Sequence, residues 1–380
     1  MDFRFNEEEE LFRSTVRKFC AQEVAPIVEE YEEREEFPIF LFQKFADQGF
    51  LGIPYPEEYG GAGGDIVLHS IFAEELGYVS MGIGFNILNQ LSLATYAIYK
   101  WGSGELKQQY LVPVIQGKKI GSFSLTEPNV GSDVAAIQTR ATRQGNEYIV
   151  NGSKTFITNG SICDYTVLAV VTDKSRGHRG ISLLLVDKGA PGFQVARELK
   201  KMGVRCSNTA ELVFEDCRVP ADHLIGEENK GFYYLMGTLN EGRVTTAALA
   251  VGLARAALDA ALAYAKERVQ FGAPIGSYQV IAFMLANMAT EIELARSVTY
   301  KAAWLTREEL PEAAQIASMA KLYASEMVCR VVDKAVQIHG GYGYMREYPV
   351  ERYYRDARAL RFVEGTSEIQ RRIIARSLGL

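Results

Sequence analysis

The spacing of apolar positions divides the chain into three textures. Over residues 5–31 and 38–49 they recur at helical spacing with charged faces between them. Asn6, followed three residues later by Glu9, predicts a capping box at the first helix start. The stretch EEYGGAGGD (57–65) reads as a turn or loop. At about residue 121 the period changes. EYIVNG, YTVLAVV, ISLLLVD and AELVFED alternate or run in β-branched residues, which predicts strands joined by Gly, Asn, Asp and Pro turns. No helices alternate with these strands, so a Rossmann-type sheet is not supported. From about Lys230 the helical period returns. Residues 245–269, 278–309, 311–339 and 365–377 read as Ala-rich helices jointed at Gly or Pro. The predicted organisation is a helical segment 1–120, a β segment 121–228 and a helical segment 229–380, with no internal repeat.

Residues 76–99 carry no charge, long enough to span a bilayer. Asn86, Asn89, Gln90, Ser80, Ser92 and Thr95 interrupt the run, so it reads as a buried helix preceded by a loop. Composition then narrows the function. The 380 residues are 48% hydrophobic and 23% charged, enough for a large core and too apolar for disorder. The net charge of −6 argues against a general nucleic-acid binder. It is unevenly spread: residues 1–36 hold 12 acidic and 5 basic side chains, and the other 344 are nearly neutral. Five scattered cysteines without a C-x-x-C argue against a disulfide framework or a zinc site, and no metal is expected. The acidic start shows no secretory or transit pattern, so a cytoplasmic location without a transmembrane segment is expected.

No P-loop, H-E-x-x-H, G-x-S-x-G or kinase set occurs, and the four histidines stand at unrelated spacings. Four segments could carry chemistry. FSLTEPNVGSD (123–133) offers backbone N–H groups and hydroxyls in a tight bend, or is an ordinary capped turn. NGSKTFITNG (151–160) sets Phe156 and Thr158 on one side of a strand, or is merely a strand between turns. ERVQFG (267–272) and QIHGGYGY (337–344) combine Arg268, suited to a pyrophosphate, with glycines permitting close approach; a surface arginine and a helix C-cap are the alternative. In RFVEGTSEIQRRI (361–373), Glu364 is either a partly desolvated base or a charge at a helix N-terminus.

Taken in order, the strings resemble the acyl-CoA dehydrogenase family over essentially the whole chain. They are L-T-E-P-x-x-G-S-D (125–133), G-x-K-x-F-I-T-N (152–159), K-M-G-x-x-x-S-x-T-x-x-L-x-F-x-D-x-x-V-P (201–220), E-R-x-x-F-G (267–272), Q-I-x-G-G-x-G (337–343), E-Y-P-V-E-R-x-x-R-D-A (347–357) and E-G-T-S-E-I-Q (364–370). The resemblance implies an α+β multidomain fold: an N-terminal helical domain, a middle β-barrel-like domain and a C-terminal four-helix bundle. It implies FAD, an acyl-CoA substrate, an electron-transferring flavoprotein as acceptor, and a homotetramer built as a dimer of dimers. Leu125, Thr126 and Ser132 would line the isoalloxazine and thioester region, with Phe156 and Thr158 on the flavin's other side. Arg268, Gln270, Phe271 and Gln279 would come from the neighbouring protomer, joined by Gln337 and Gly341, while Thr366 and Glu368 reach the phosphate–ribityl side.

Glu364 matches the family's usual base, which takes the α-proton while the β-hydrogen leaves as hydride, giving a 2-enoyl-CoA. Some members place the base on an earlier helix, where this chain has Gly242, which cannot serve. Arg243 matches a residue near the acyl-pantetheine, and Gly365 and Ser132 join the substrate-facing set. Gly84, Phe85, Asn86, Leu88 and Asn89 fall near the pocket floor. Two positions depart from the usual pattern. Phe156 replaces Trp, and Val363 replaces an aromatic residue beside the acyl chain, which implies more room there. Gly84 lacks the arginine of glutaryl-CoA members. The resemblance therefore implies a short, branched or alicyclic acyl group. An acyl-CoA oxidase using O2 is an alternative, although such oxidases are usually much longer. A non-catalytic binding or assembly protein that kept the fold is the other.

Overall fold

A computed structural model describes residues 4–380; residues 1–3, the start of the predicted N-terminal segment, lie outside the described residues. The Asn6 capping box forms, with Oδ1 accepting from the Glu9 N–H at 2.8 Å and the Glu9 carboxylate accepting from the Asn6 N–H. The uncharged stretch is helical but not one helix. The helix Ile66–Val79 ends at Ser80, which is extended and whose hydroxyl accepts from the Ile83 N–H to start Met81–Leu88. No loop precedes the segment, because a serine cap breaks the chain within a single residue.

The middle segment is a sheet of eight strands: β1 (Gly121–Ser124), β2 (Arg140–Gln144), β3 (Glu147–Thr158), β4 (Tyr165–Val171), β5 (Ile181–Asp187), β6 (Phe193–Glu198), β7 (Thr209–Pro220) and β8 (Leu224–Ile225). Their order is β6-β7-β3-β2-β4-β5-β8, with β1 lying parallel on β4. The expected barrel-like closure is overturned: β6 and β8 end the sheet and do not pair. Closure needs every edge strand to find a partner in consistent register. Here β6 is mostly exposed, β8 has two residues, and β2 meets β4 only at Arg140 and Val171. Two ladders instead fold over one core. Tyr148, Val150, Leu168, Val170, Leu184, Val186, Leu212 and Phe214 fill it. The intervening residues Val167, Ala169, Leu183 and Leu185 pack on the helical core, which is why YTVLAVV is apolar throughout rather than alternating.

The C-terminal segment has three long helices, Gly231–Glu267, Gln279–Arg307 and Ala313–His339, and a short one, Ser367–Ser377. The first begins well before residue 245. Its opening turns are rich in Gly and aromatic residues, which are poor helix formers, and tertiary packing overrides that propensity. By length and composition Gly231–Glu267 could cross a membrane, yet it is the central core helix here. Ile66–Val79 lies against it backbone to backbone: a Cβ at Gly77 would overlap the Leu249 carbonyl, and one at Gly252 the Glu74 carbonyl. Gly252→Ala is therefore expected to lower stability by about 1–3 kcal/mol or more, seen as an earlier urea midpoint at unchanged slope.

Candidate active site

Glu364 sits in a bend that its own sequence disfavours. Its φ is +55° and that of Gly365 is +92°, two consecutive left-handed residues before Thr366 caps the last helix through its hydroxyl. A left-handed glutamate costs on the order of 1 kcal/mol. The bend is held by buried side chains. Gln370 Nε2 donates to the carbonyl oxygens of Glu364 (2.9 Å) and Gly365 (3.1 Å), and Lys321 Nζ donates to that of Gly365 at 2.7 Å.

The bend aims the carboxyl at the glycine-rich turn of Gly231–Glu267. A Cβ at Gly242 would lie 2.8 Å from Glu364 Oε2, so a side chain there and the Glu364 carboxyl compete for the same space. Oε2 is buried without a hydrogen-bond partner. Burial pushes this carboxyl up to about 7, against the opposing pull of the Arg243 and Lys321 cations. Arg243 is itself buried, with Nη1 donating to Asn240 Oδ1 at 2.7 Å and Nε unpartnered. An unpartnered carboxyl poised near neutral pH is suited to accept a proton from carbon.

A second group forms around Leu125 and Thr126. Buried Lys154 donates through Nζ to Leu125 O and Glu127 Oε1, both at 2.9 Å. The Glu127 carboxylate also accepts the N–H groups of Gln138 and Thr139, and the Thr155 N–H donates to Thr126 O. The β3–β7 register shifts between Lys154 and Ile157. There Phe156 takes φ +60° and is 68% exposed, so regular alternation with the half-buried Thr158 does not hold. Ser132 is exposed at the loop tip.

Among the pocket-floor candidates, Asn86 Nδ2 donates to Asn159 Oδ1 at 2.7 Å, tying the helix to the sheet. Leu88 is buried, Phe85 is half-buried, and Asn89 Oδ1 is buried without a partner. A Cβ at Gly84 would lie 2.5 Å from Leu249 Cδ1. Val363 packs at the edge of the main core.

Arg268, Gln270, Phe271, Gln279, Gln337 and Gly341 are exposed, on the C-terminal helices and the short connections between them. Phe271 is 97% exposed with φ +52°, and the Arg268 guanidinium lies over the Tyr342 ring. Glu368 is exposed at the start of the last helix. Among the described residues, Arg268, Gln270, Phe271, Gln279, Gln337 and Gly341 share no hydrogen bond or ring contact with the Leu125 or Glu364 groups. The set suits a dinucleotide such as FAD: an outward aromatic face at Phe156, hydroxyls at Thr126 and Thr158, and an outward guanidinium with aromatic neighbours for the phosphates and adenine. Lys321, Gln370, Lys154 and Glu127 escaped sequence reasoning as site residues. Lys154 and Glu127 stand within the quoted strings, and Lys321 is a lone cation in the small, apolar run SMAKLYAS.

Family models match along the whole chain: acyl-CoA dehydrogenase N-terminal domain at 6–118, middle domain at 122–217 and C-terminal domain at 229–379. The chain is 48% identical to probable acyl-CoA dehydrogenase YngJ of Bacillus subtilis, covering 100% of both. It is 46% identical to the short-chain specific acyl-CoA dehydrogenase of Clostridium acetobutylicum, covering 99% of both. A chain in the structural study of the electron transferring flavoprotein of Acidaminococcus fermentans is 44% identical, with TM-score 0.97 over 100% of this chain and 99% of that one.

Proposed function

Because the chain belongs to the acyl-CoA dehydrogenase family, an FAD-dependent oxidoreductase fold, we propose that Glu364 is its base and that it oxidises a short, branched or alicyclic acyl-CoA. The reaction is α,β-dehydrogenation of the thioester. FAD, when bound, supplies the hydride acceptor for the β-hydrogen. The protein's part is to bind, orient and deprotonate. Leu125, Thr126, Phe156 and Thr158 would hold the flavin ring, and Arg268 with Gln337 the pyrophosphate end.

The observation that carries this reading is the Glu364 carboxyl, with Oε2 buried and unpartnered and an ordinary pKa raised to about 7. Ionised, it is a base without a competing hydrogen bond on that oxygen. Gly242 leaves it room and the nearby cations oppose its neutralisation. Val363 in place of a ring and the short-chain specificity of the Clostridium relative support a small acyl group. The Leu249 side chain against Gly84 argues against an arginine-bound dicarboxylate. The Acidaminococcus likeness supports an electron-transferring flavoprotein as acceptor. Exposed Phe271, in the turn before the helix Gln279–Arg307, and Val280, Phe283 and Leu294 on that helix support association of subunits into a homotetramer.

The test is anaerobic flavin bleaching across straight, branched and cyclic acyl-CoAs. kcat/KM is expected to be about 10-fold or more higher for four- and five-carbon acyl groups than for palmitoyl-CoA. A maximum at palmitoyl-CoA would overturn the substrate class, and bleaching by no acyl-CoA would overturn dehydrogenation.

A further inference from the structure

Lys321 is a side chain whose burial nothing so far explains. It projects from the middle of Ala313–His339 among Ala317, Ala320, Ala324 and Ser325 and has no exposed surface. Among the described residues it forms no ion pair, and its one hydrogen bond is to the Gly365 carbonyl. A buried ammonium without a bonded counter-ion is costly, and an apolar residue of similar length would fill the same volume more cheaply. The cation must therefore act on something near it.

Its surroundings identify what. The charged groups that act on Lys321 are Glu364, Arg243, Glu368 and Arg361, with Glu364 the leading one. Those that act on Glu364 are Arg243, from the Gly231–Glu267 helix, and Lys321, from the facing helix. Arg243 already has Asn240 as a hydrogen-bond partner. Lys321 grips the backbone one residue beyond the base, so a single ammonium both holds the left-handed bend and adds to the field that Arg243 places at the carboxyl.

We propose that Lys321 is a positioning residue for Glu364, holding the Glu364–Gly365 bend through the Gly365 carbonyl and supplying, together with Arg243, the counter-charge that favours the ionised base in a closed site. Gln370 shares the first task but not the second, since it carries no charge. The inference rests on Glu364 being the base.

Two variants separate the tasks. Lys321→Met removes hydrogen bond and charge; Lys321→Gln removes the charge and keeps a donor, and serves if the first does not fold. In flavin-loaded protein, both are expected to move the acid limb of the kcat/KM profile to higher pH by about one unit, because loss of a nearby cation raises a carboxyl pKa. The infrared carboxyl band that Glu364→Gln abolishes should titrate with the same shift, a readout independent of turnover. Gln370→Leu is expected to lower kcat without moving the limb. An unmoved limb and band in either folded Lys321 variant would overturn the inference and leave the assignment of the base intact. Glu364→Gln that still bleaches with substrate would overturn both.

Discussion

Glu364→Gln is expected to keep its yellow flavin and its affinity for CoA ligands while losing bleaching by substrate by about 100- to 10,000-fold, the range general-base catalysis supplies. The argument is local. Oε2 has no hydrogen-bond partner to replace it as acceptor, and no second carboxylate can take its place at Gly242, where the Glu364 carboxyl itself occupies the space. The pH dependence fixes the sign. Burial raises the carboxyl from 4.5 to about 7, so the base is protonated and idle below that value. Bleaching by the natural protein should therefore rise with pH up to about 7 and then level off. Stability runs the other way. A carboxyl whose folded pKa is raised contributes fully below the unfolded value of 4.5, and that contribution is lost as pH rises through about 7. At pH 8, Glu364→Gln should thus unfold at no lower temperature than the natural protein, which separates a lost base from a lost fold. Substrate bleaching at near the natural rate would remove Glu364 from the mechanism.

The sequence made the proposed base legible and left its surroundings hidden, and the difference is physical. Glu364 announces itself through the string E-G-T-S-E-I-Q, in which Gly365 and the Thr366 cap are local and readable. Gly242 faces that carboxyl and Lys321 bonds the Gly365 carbonyl beside it, both from helices distant in sequence, and only packing brings them there. The strands show the same limit. Pattern located β3, β4, β5 and β7 because they are long and rich in β-branched and apolar residues between turn signals. It was silent on exposed β6 and two-residue β8, the strands whose failure to pair keeps the sheet open. The early start of Gly231–Glu267 was obscured because the glycines there serve contact rather than propensity: Gly237 faces the Trp101 ring and Gly242 faces Glu364. Local sequence therefore marks Glu364 as the candidate base, and long-range packing decides what surrounds it.

Glu127→Ala is expected to cost about 3–5 kcal/mol, the penalty for stripping a buried charge of its partner. Lys154 has no exposed surface, and its counter-charge is the Glu127 carboxylate at 2.9 Å. The same carboxylate accepts the N–H groups of Gln138 and Thr139, which the truncation would leave unpaired. Burial pushes the Glu127 carboxyl up, but Lys154 and the backbone donors outweigh it and hold it below its usual range. That sign means its stabilisation is present above the unfolded value of 4.5 and is lost as pH falls through the lower folded one. The variant should accordingly lack part of the natural protein's acid-unfolding response. Its effect should also reach the flavin, because Lys154 and Thr155 anchor the carbonyls of Leu125 and Thr126. Flavin retention after gel filtration should fall together with the urea midpoint. The double variant Glu127→Ala/Lys154→Met removes both charges and should recover much of the midpoint, since the dominant cost is the orphaned ammonium. It should not recover flavin retention, because a thioether side chain has no proton to donate to Leu125 O. A single variant with the natural midpoint and full flavin content would show that the Leu125–Thr126 edge is held by the Thr155 backbone alone.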